Sequence, residues 1–409
     1  HAPITHHLPR SGRCYNKCHP GLPGRVQERS GMDARSIIED CLELWRNPYP
    51  HLAQLRERGE KPVAFFCTYT PEEILHAAGF TPVRLMGSVR TISHADAHLQ
   101  PYCCSLARTD LDMALAGELD YLEGAVFVQT CDTMMRLSDI WRRNTSFPLH
   151  ADLVLPIRMG EETSLPFLME EVRGLRRTID DYLGHTLSDD SLEESIRVYN
   201  RNRDLLGRLY ELRSEKPGVI DGVSVMACAV AGFWMKKEDH NQLLHQLIES
   251  LQGEEQQSEA KMPLLVSGSI CTTPDLFELI AELGAEVVED DLCSGHRYFQ
   301  DLVEVDMPPD EALARRMWRR VNCPAKHQTR EDRASRLLKS AGESGARGVV
   351  FYLQSFCEPH LFDLPYLRKR LQDELQIPSL VLESELQSFS RGQMRTRLQA
   401  FIETLRDDI

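Results

Sequence analysis

Cysteines recur at one kind of position in this 409-residue chain. Cys67, Cys131, Cys271 and Cys357 fall at or just beyond the ends of short apolar runs that read as strands, and Cys293 follows another such run by three residues. In an open parallel sheet, ligands bind in the crevice outside the carboxyl ends of the strands. Several thiols gathered there suit a soft centre: zinc, copper(I) or an iron–sulfur cluster. Cysteines that only fill a core belong inside elements, as expected for Cys41 and Cys228. Taken alone, Cys357 in "LQSFCEPH" has four readings: a packed thiol, a zinc ligand paired with His360, a nucleophile that needs a base within reach, or one member of a larger set. The acids that follow two of the cysteines, Asp132 and Glu358, read as helix N-caps. The Cys103-Cys104 doublet reads as strand, where neighbours point to opposite faces, so one of the two reaches a shared site.

The elements that must position these thiols alternate. "PVAFFC" (62–67), "FTPVRL" (80–85), "GAVFVQT" (124–130) and "HADLVLP" (150–156) read as strands. Between the first two, Thr70 caps a helix, Pro71 takes its first position, Glu72 and Glu73 complement its dipole and Gly79 ends it. A second region repeats the plan with "PLLVSGSIC" (263–271), "AEVVED" (285–290), "RGVVFYL" (347–353) and "PSLVLES" (378–384), and with a Thr-Pro274 start and Gly284 stop. The order of "CTYTPEEILHAAGF", "CSLAR" and "QTCD" is echoed by "CTTPDLFELIAELGA", "CSGHR" and "QSFCE", which suggests an internal duplication. Strands alternating with helices imply parallel sheets covered on both faces. Residues 165–261 instead carry apolar residues at three- and four-residue spacing, the helical period. The expected organisation is a disordered tail or leader over 1–31, a first α/β domain over 32–164, a helical region over 165–261 and a second α/β domain over 262–409. The fold class is α/β, with two doubly wound parallel-sheet domains separated by the helical region. "CYNKCH" places Cys14, Cys18 and His19 in the tail, without a second ligand pair at zinc-finger spacing.

Composition narrows the function. A formal net charge of −15 opposes a general nucleic-acid binder, which needs a basic surface. No apolar run approaches the roughly 18 residues of a membrane span. The 12 cysteines come without a secretory leader, which favours reduced thiols and metal or redox chemistry over a disulfide framework. The chain lacks the GxxxxGK[ST] loop, the GxGxxG fingerprint, HExxH and GxSxG, so ATP hydrolysis or nicotinamide binding by this chain is not expected.

Several stretches together carry a resemblance: "FFCTYTPEEILHAAGFTPVRLMG", "YCCSLARTDL", "VFVQTCDTMMRLSDIW", "YNRNRDLLGRLYELRSEKPG", "EDHNQLL", "VSGSICTTP", "VVFYLQSFCEP" and "GQMRTRLQAFIE". Over about residues 36–406 the chain resembles the 2-hydroxyacyl-CoA dehydratase / benzoyl-CoA reductase family, and is most similar to the smaller iron–sulfur subunit of benzoyl-CoA reductase. The resemblance implies an anaerobic, cytoplasmic radical enzyme acting on a coenzyme A thioester, either reducing an aromatic acyl-CoA or dehydrating a 2-hydroxyacyl-CoA. It implies a 4Fe–4S cluster, a related second iron–sulfur subunit in a heterodimer (or a second copy in a homodimer), and a separate ATPase activator with its own cluster. By matching motifs, the cluster ligands are Cys104 ("CSLAR"), Cys131 ("QTCD") and Cys357 ("SFCEP"), with Cys103 the local departure. A double-cubane reductase would use six cysteines, for which Cys67, Cys104, Cys131, Cys271, Cys293 and Cys357 supply the number. A non-catalytic relay or scaffold subunit is the other alternative. Glu73, Asp132 and His296 stand near strand ends as proton-donor candidates, and Arg84, Arg108 and Arg297 as phosphate contacts; structural roles are open for each.

Overall fold

The structure, a computed structural model, describes residues 33–254, 261–320, 323–326, 330–386 and 390–407. The tail over 1–31, with Cys14, Cys18 and His19, lies outside the described residues.

Two helices, α1 (Ala34–Arg46) and α2 (Tyr49–Glu57), precede the first sheet. The sheet follows as β1 (Pro62–Phe65), α3 (Glu72–Ala77), β2 (Thr81–Arg84), α4 (Ser105–Leu115), β3 (Gly124–Gln129), α5 (Asp132–Asn144) and β4 (Leu149–Val154). Four helices come next: α6 (Ser164–Leu183), α7 (Asp189–Glu215), α8 (Gly222–Ala231) and α9 (Lys237–Gln252). The second sheet is built from β5 (Met262–Gly268), α10 (Asp275–Glu282), β6 (Ala285–Asp291), α11 (His296–Phe299), α12 (Pro309–Arg319), α13 (Arg330–Glu343), β7 (Gly348–Gln354), α14 (Glu358–Arg370) and β8 (Ser379–Ser384). Helix α15 (Arg391–Asp407) closes the chain against α10, β5 and β8.

Both sheets are wholly parallel and share one strand order, β2-β1-β3-β4 and β6-β5-β7-β8. The expected α/β class with two parallel sheets is therefore observed, and the common order is what a duplicated unit would show. The inner strands β1 and β7 are buried at every position, and β3 and β5 at all but one, because helices cover both faces. Edge strand β4 alternates between buried and more exposed positions. The largest apolar core runs through both sheets, holding Ala64 and Phe65 of the first with Val266 and Tyr352 of the second. Helix α7 packs on α3 of the first region and on α11 and α12 of the second. Cys41 and Cys228 are buried in the core, as expected.

Helix starts depart from expectation in an informative way. Asp33, Ser188 and Asp221 cap α1, α7 and α8 with their side chains. Thr70 does not cap α3: Pro71 is the N-cap, with ψ 80°, and the helix opens at Glu72. Pro274 precedes α10 in the same way. Asp132 and Glu358 are likewise not N-caps but first helical residues, and the N-caps of α5 and α14 are Cys131 and Cys357. Gly79 and Gly284 stop their helices in the left-handed region, at φ 79° and 76°.

Candidate functional site

Three cysteines separated by up to 253 positions open three helices. Cys104 is the N-cap of α4, Cys131 of α5 and Cys357 of α14. None of these helices has a side-chain cap bond; a thiol stands where Ser, Thr or Asp would ordinarily accept from the first amides. The free amides and the positive end of the helix dipole favour a thiolate there. The nearby amides of Ala107 (Cys104), Met134 and Thr133 (Cys131) and His360 (Cys357) pull each thiol's pKa downward against burial, without closing a cap bond. The Cys103-Cys104 peptide lies in a turn leading into α4 rather than on a strand, so its side chains do not follow strand alternation.

The three thiols act on one another. Burial pushes Cys104 up to about 12, and Cys131 then adds to it. Burial raises Cys357, helped by Cys104 and Cys131. Burial also raises Cys131. All three are partly exposed, and the direction of these shifts favours the protonated thiols, a preference that binding a cation or cluster would reverse. Among the described residues no three Cys, His, Asp or Glu side chains are placed to hold a single metal ion. Three thiolates are soft donors of the kind an iron–sulfur cluster takes, each through a different iron.

A cross-sheet bond pins the pair from opposite halves. Ser105, next to Cys104 and wholly buried, donates through Oγ to Gln354 Oε1 at 3.4 Å, and the Leu386 amide donates to the same Oγ at 3.1 Å. Gln354 ends β7, three residues before Cys357. Between them Phe356 takes φ 65°, and the Cys357 amide closes a tight turn onto the Gln354 carbonyl at 3.0 Å. That left-handed residue is what swings the chain from strand into helix with Cys357 at the corner.

A second thiol set lies beside the first. Cys67, Cys293 and Cys323 line one small opening with Tyr69, Arg297 and Arg320. Cys323 rises to about 11 through burial, then Cys293 and Cys67. It also acts on Cys131 and Cys357, so the two sets are neighbours. Cys271, expected in a six-cysteine set, is not here: it is 1% exposed, packed in the core, and its thiol donates to the Thr273 carbonyl at 3.3 Å. Cys323 takes its place. No strand precedes it; it follows α12 in a short bridge with Lys326, so the strand-end rule could not find it.

The remaining candidates have structural partners. Glu73 is buried against Arg203, which outweighs burial and holds its carboxyl below the usual range. Asp132 is exposed and 3.8 Å from Arg136. His296 stacks on Phe299 and pairs with Glu289 at 3.1 Å. Arg108 holds Asp96 at 2.7 Å. Arg84 and Arg297 are buried; Arg84 donates to the Cys293 carbonyl at 2.8 Å, and Arg297 pairs with Asp291 at 3.1 Å. His360 is buried, at 5% exposed, and its pKa is pushed well down by burial and then Arg333. In "YNRNRDLLGRLYELRS" and "EDHNQLL", Asn202 donates to Asn241 Oδ1 and contacts His240, each at 2.8 Å, and Arg203 meets Glu73; these motif residues tie α7 to α9 and α3.

Comparison with known proteins gives a consistent picture. The chain is 27% identical to a benzoyl-CoA reductase subunit of Thauera aromatica, over 92% of this chain and 99% of that protein. It is 28% identical to the beta subunit of lactoyl-CoA dehydratase of Anaerotignum propionicum, over 90% and 99%. It is 26% identical to the (R)-phenyllactyl-CoA dehydratase beta subunit of Clostridium sporogenes, over 90% and 98%. These matches make it a component of the 2-hydroxyacyl-CoA dehydratase or benzoyl-CoA reductase type. The model of the 2-hydroxyglutaryl-CoA dehydratase D-component family matches residues 67–405, and the chain belongs to that family.

Proposed function

We propose that this chain is the iron–sulfur subunit of a low-potential radical enzyme acting on a coenzyme A thioester, with a 4Fe–4S cluster held by Cys104, Cys131 and Cys357. One observation carries the reading: three cysteines distant in sequence are the N-caps of three helices, and Cys104 and Cys131 both bear on the Cys357 thiol. The relatives support it, being named for a dehydratase or a reductase of a CoA thioester. When bound, such a cluster supplies single electrons at a potential that hydride donors do not reach. The chain's own residues orient the thiolates at the starts of three helices. Three protein thiolates leave the fourth coordination position to another ligand. The beta-subunit relatives point to a related partner subunit, and the family resemblance to a separate ATPase activator and an anaerobic cytoplasm.

Anaerobic reconstitution with ferrous iron and sulfide tests this. About four irons per chain are expected, with loss of the cluster's absorbance and paramagnetic signal in Cys357→Ser. Zinc without sulfide, or a full cluster in Cys357→Ser, overturns the assignment. Binding of acyl-CoA to the isolated chain and to the reconstituted complex separates a substrate-holding subunit from a relay.

The second thiol set favours a second reading, a double-cubane arrangement on six cysteines. The set is Cys67, Cys293 and Cys323 with Cys104, Cys131 and Cys357. About eight irons per chain then replace four.

A further inference from the structure

Phe356 stands in a backbone conformation that its side chain does not suit. Among the described residues three non-glycine positions take a left-handed φ: Asp301 at 59°, Gln376 at 56° and Phe356 at 65°. Asp visits this region because its short polar side chain can bond locally. Gln376 follows the helical turn Leu371–Leu375, where a left-handed residue ends a helix. Phe356 has neither reason: its side chain carries no polar atom, and it follows strand β7 rather than a helix. Glycine would take the same turn without steric cost. Burial does not account for the ring, which is 42% exposed and is not among the residues of the apolar cores. A bulky apolar side chain kept exposed on a strained turn points to a contact outside the folded chain.

Its place in the chain says what that contact is. Phe356 immediately precedes Cys357, and adjacent Cα atoms are about 3.8 Å apart, so the residue borders the thiol site. The turn holds it there: the Cys357 amide donates to the Gln354 carbonyl at 3.0 Å and the Ser355 amide to the Ser384 carbonyl at 3.0 Å, which fixes both neighbours of Phe356 to strand ends. The other half of the site has an exposed ring as well, Tyr102, two residues before Cys104 and 64% exposed. We infer that Phe356 contacts the acyl group of the coenzyme A thioester, and that this acyl group is apolar. The inference rests on the reading in which this chain holds the substrate, and adds to it the residue that meets the acyl group. On that reading the acyl group must come to the thiols, and a side chain on the residue before one of them is within its reach. An exposed aromatic ring gains by covering apolar surface and offers a face to a flat group.

The test uses the full chain, cluster-free and then reconstituted anaerobically with ferrous iron and sulfide. The probes are benzoyl-CoA and phenyllactyl-CoA, with free coenzyme A as control. Phe356→Gly and Phe356→Asn both suit a left-handed backbone and remove the ring. Cluster-free, each is expected to melt no lower than Phe356→Ala, which removes the ring and keeps the strain. Each is expected to weaken acyl-CoA binding roughly tenfold, the equivalent of uncovering about 60 Å² of apolar surface. Affinity for free coenzyme A and iron per chain are expected to stay those of the parent. Phe356→Leu, which keeps an apolar side chain, is expected to retain most of the acyl-CoA affinity. Unchanged acyl-CoA affinity in Phe356→Gly and Phe356→Asn overturns the inference, and weaker association with a partner subunit in the same variants then assigns the ring to a subunit contact. Equal loss of affinity for acyl-CoA and free coenzyme A, or loss of iron in both variants, makes Phe356 a support of the Cys357 turn and also overturns it. A parent chain that binds neither probe, alone or with its partner subunit, overturns the substrate-holding reading itself.

Discussion

Ser105→Ala probes the bond that joins the two halves of the thiol site. The Ser105 hydroxyl is wholly buried, accepts from the Leu386 amide at 3.1 Å and donates to Gln354 at 3.4 Å. The second bond is long and contributes little. The first is not replaceable, because Leu386 is 4% exposed and its amide is left without an acceptor. Stranding a buried donor costs about 1–3 kcal/mol, so about 2 kcal/mol is expected here. Were that cost confined to local opening, exchange of the Leu386 amide would accelerate about 30-fold, since 1.4 kcal/mol is a factor of ten. The assay is hydrogen exchange resolved at the 382–386 segment, alongside denaturant unfolding. The same substitution releases the start of α4 from Leu386 beyond β8 and from the weaker contact to the end of β7, so reconstituted iron is expected to leave faster. Unchanged exchange at Leu386 with unchanged iron retention refutes the idea that this bond sets the spacing of the two thiols.

Other outcomes follow from the same geometry. Asp110 is buried, takes the Gly87 amide at 2.9 Å, and is pushed by burial from 3.8 up to about 8. Its folded-state pKa lies above the unfolded value, so its contribution is complete below about pH 4 and is lost as pH rises towards 8; Asp110→Asn should gain on the parent across that window, by on the order of 4 kcal/mol at pH 7 in denaturant melts. Glu73→Gln leaves buried Arg203 uncompensated and is expected to cost about 3 kcal/mol in the same assay; a loss below about 1 kcal/mol contradicts the pairing as a stabiliser. On the six-thiol reading Cys323→Ser should lower reconstituted iron per chain, whereas Cys271→Ser should not, and the reverse result would restore Cys271 to the set.

The strands were legible because burial on both faces demands continuous apolar runs: all eight expected strands exist, with ends shifted by three residues or fewer. Placing cysteines at the carboxyl edge was legible for the same reason, since the runs stop where the thiols begin. The helix starts were less so: Thr-Pro reads locally as a cap, but neither Pro takes the first helical position, and a cysteine occupies the cap wherever the site needs a sulfur. Phe356 gave no hint of its left-handed turn, a conformation that glycine usually announces.

What the amino-acid order determined by itself was the class of fold, the parallel strands, the core thiols Cys41 and Cys228, and a family likeness spread over nearly the whole chain. What only the tertiary structure decided was which thiols keep company. Cys271 and Cys323 illustrate the reason. One follows a strand yet is drawn into the core behind the edge; the other follows a helix yet reaches the same opening as Cys67 and Cys293. Local pattern reports where the chain is buried and how it turns. It does not report the approach of segments more than 200 residues apart, which is set by how two sheets pack through a shared core.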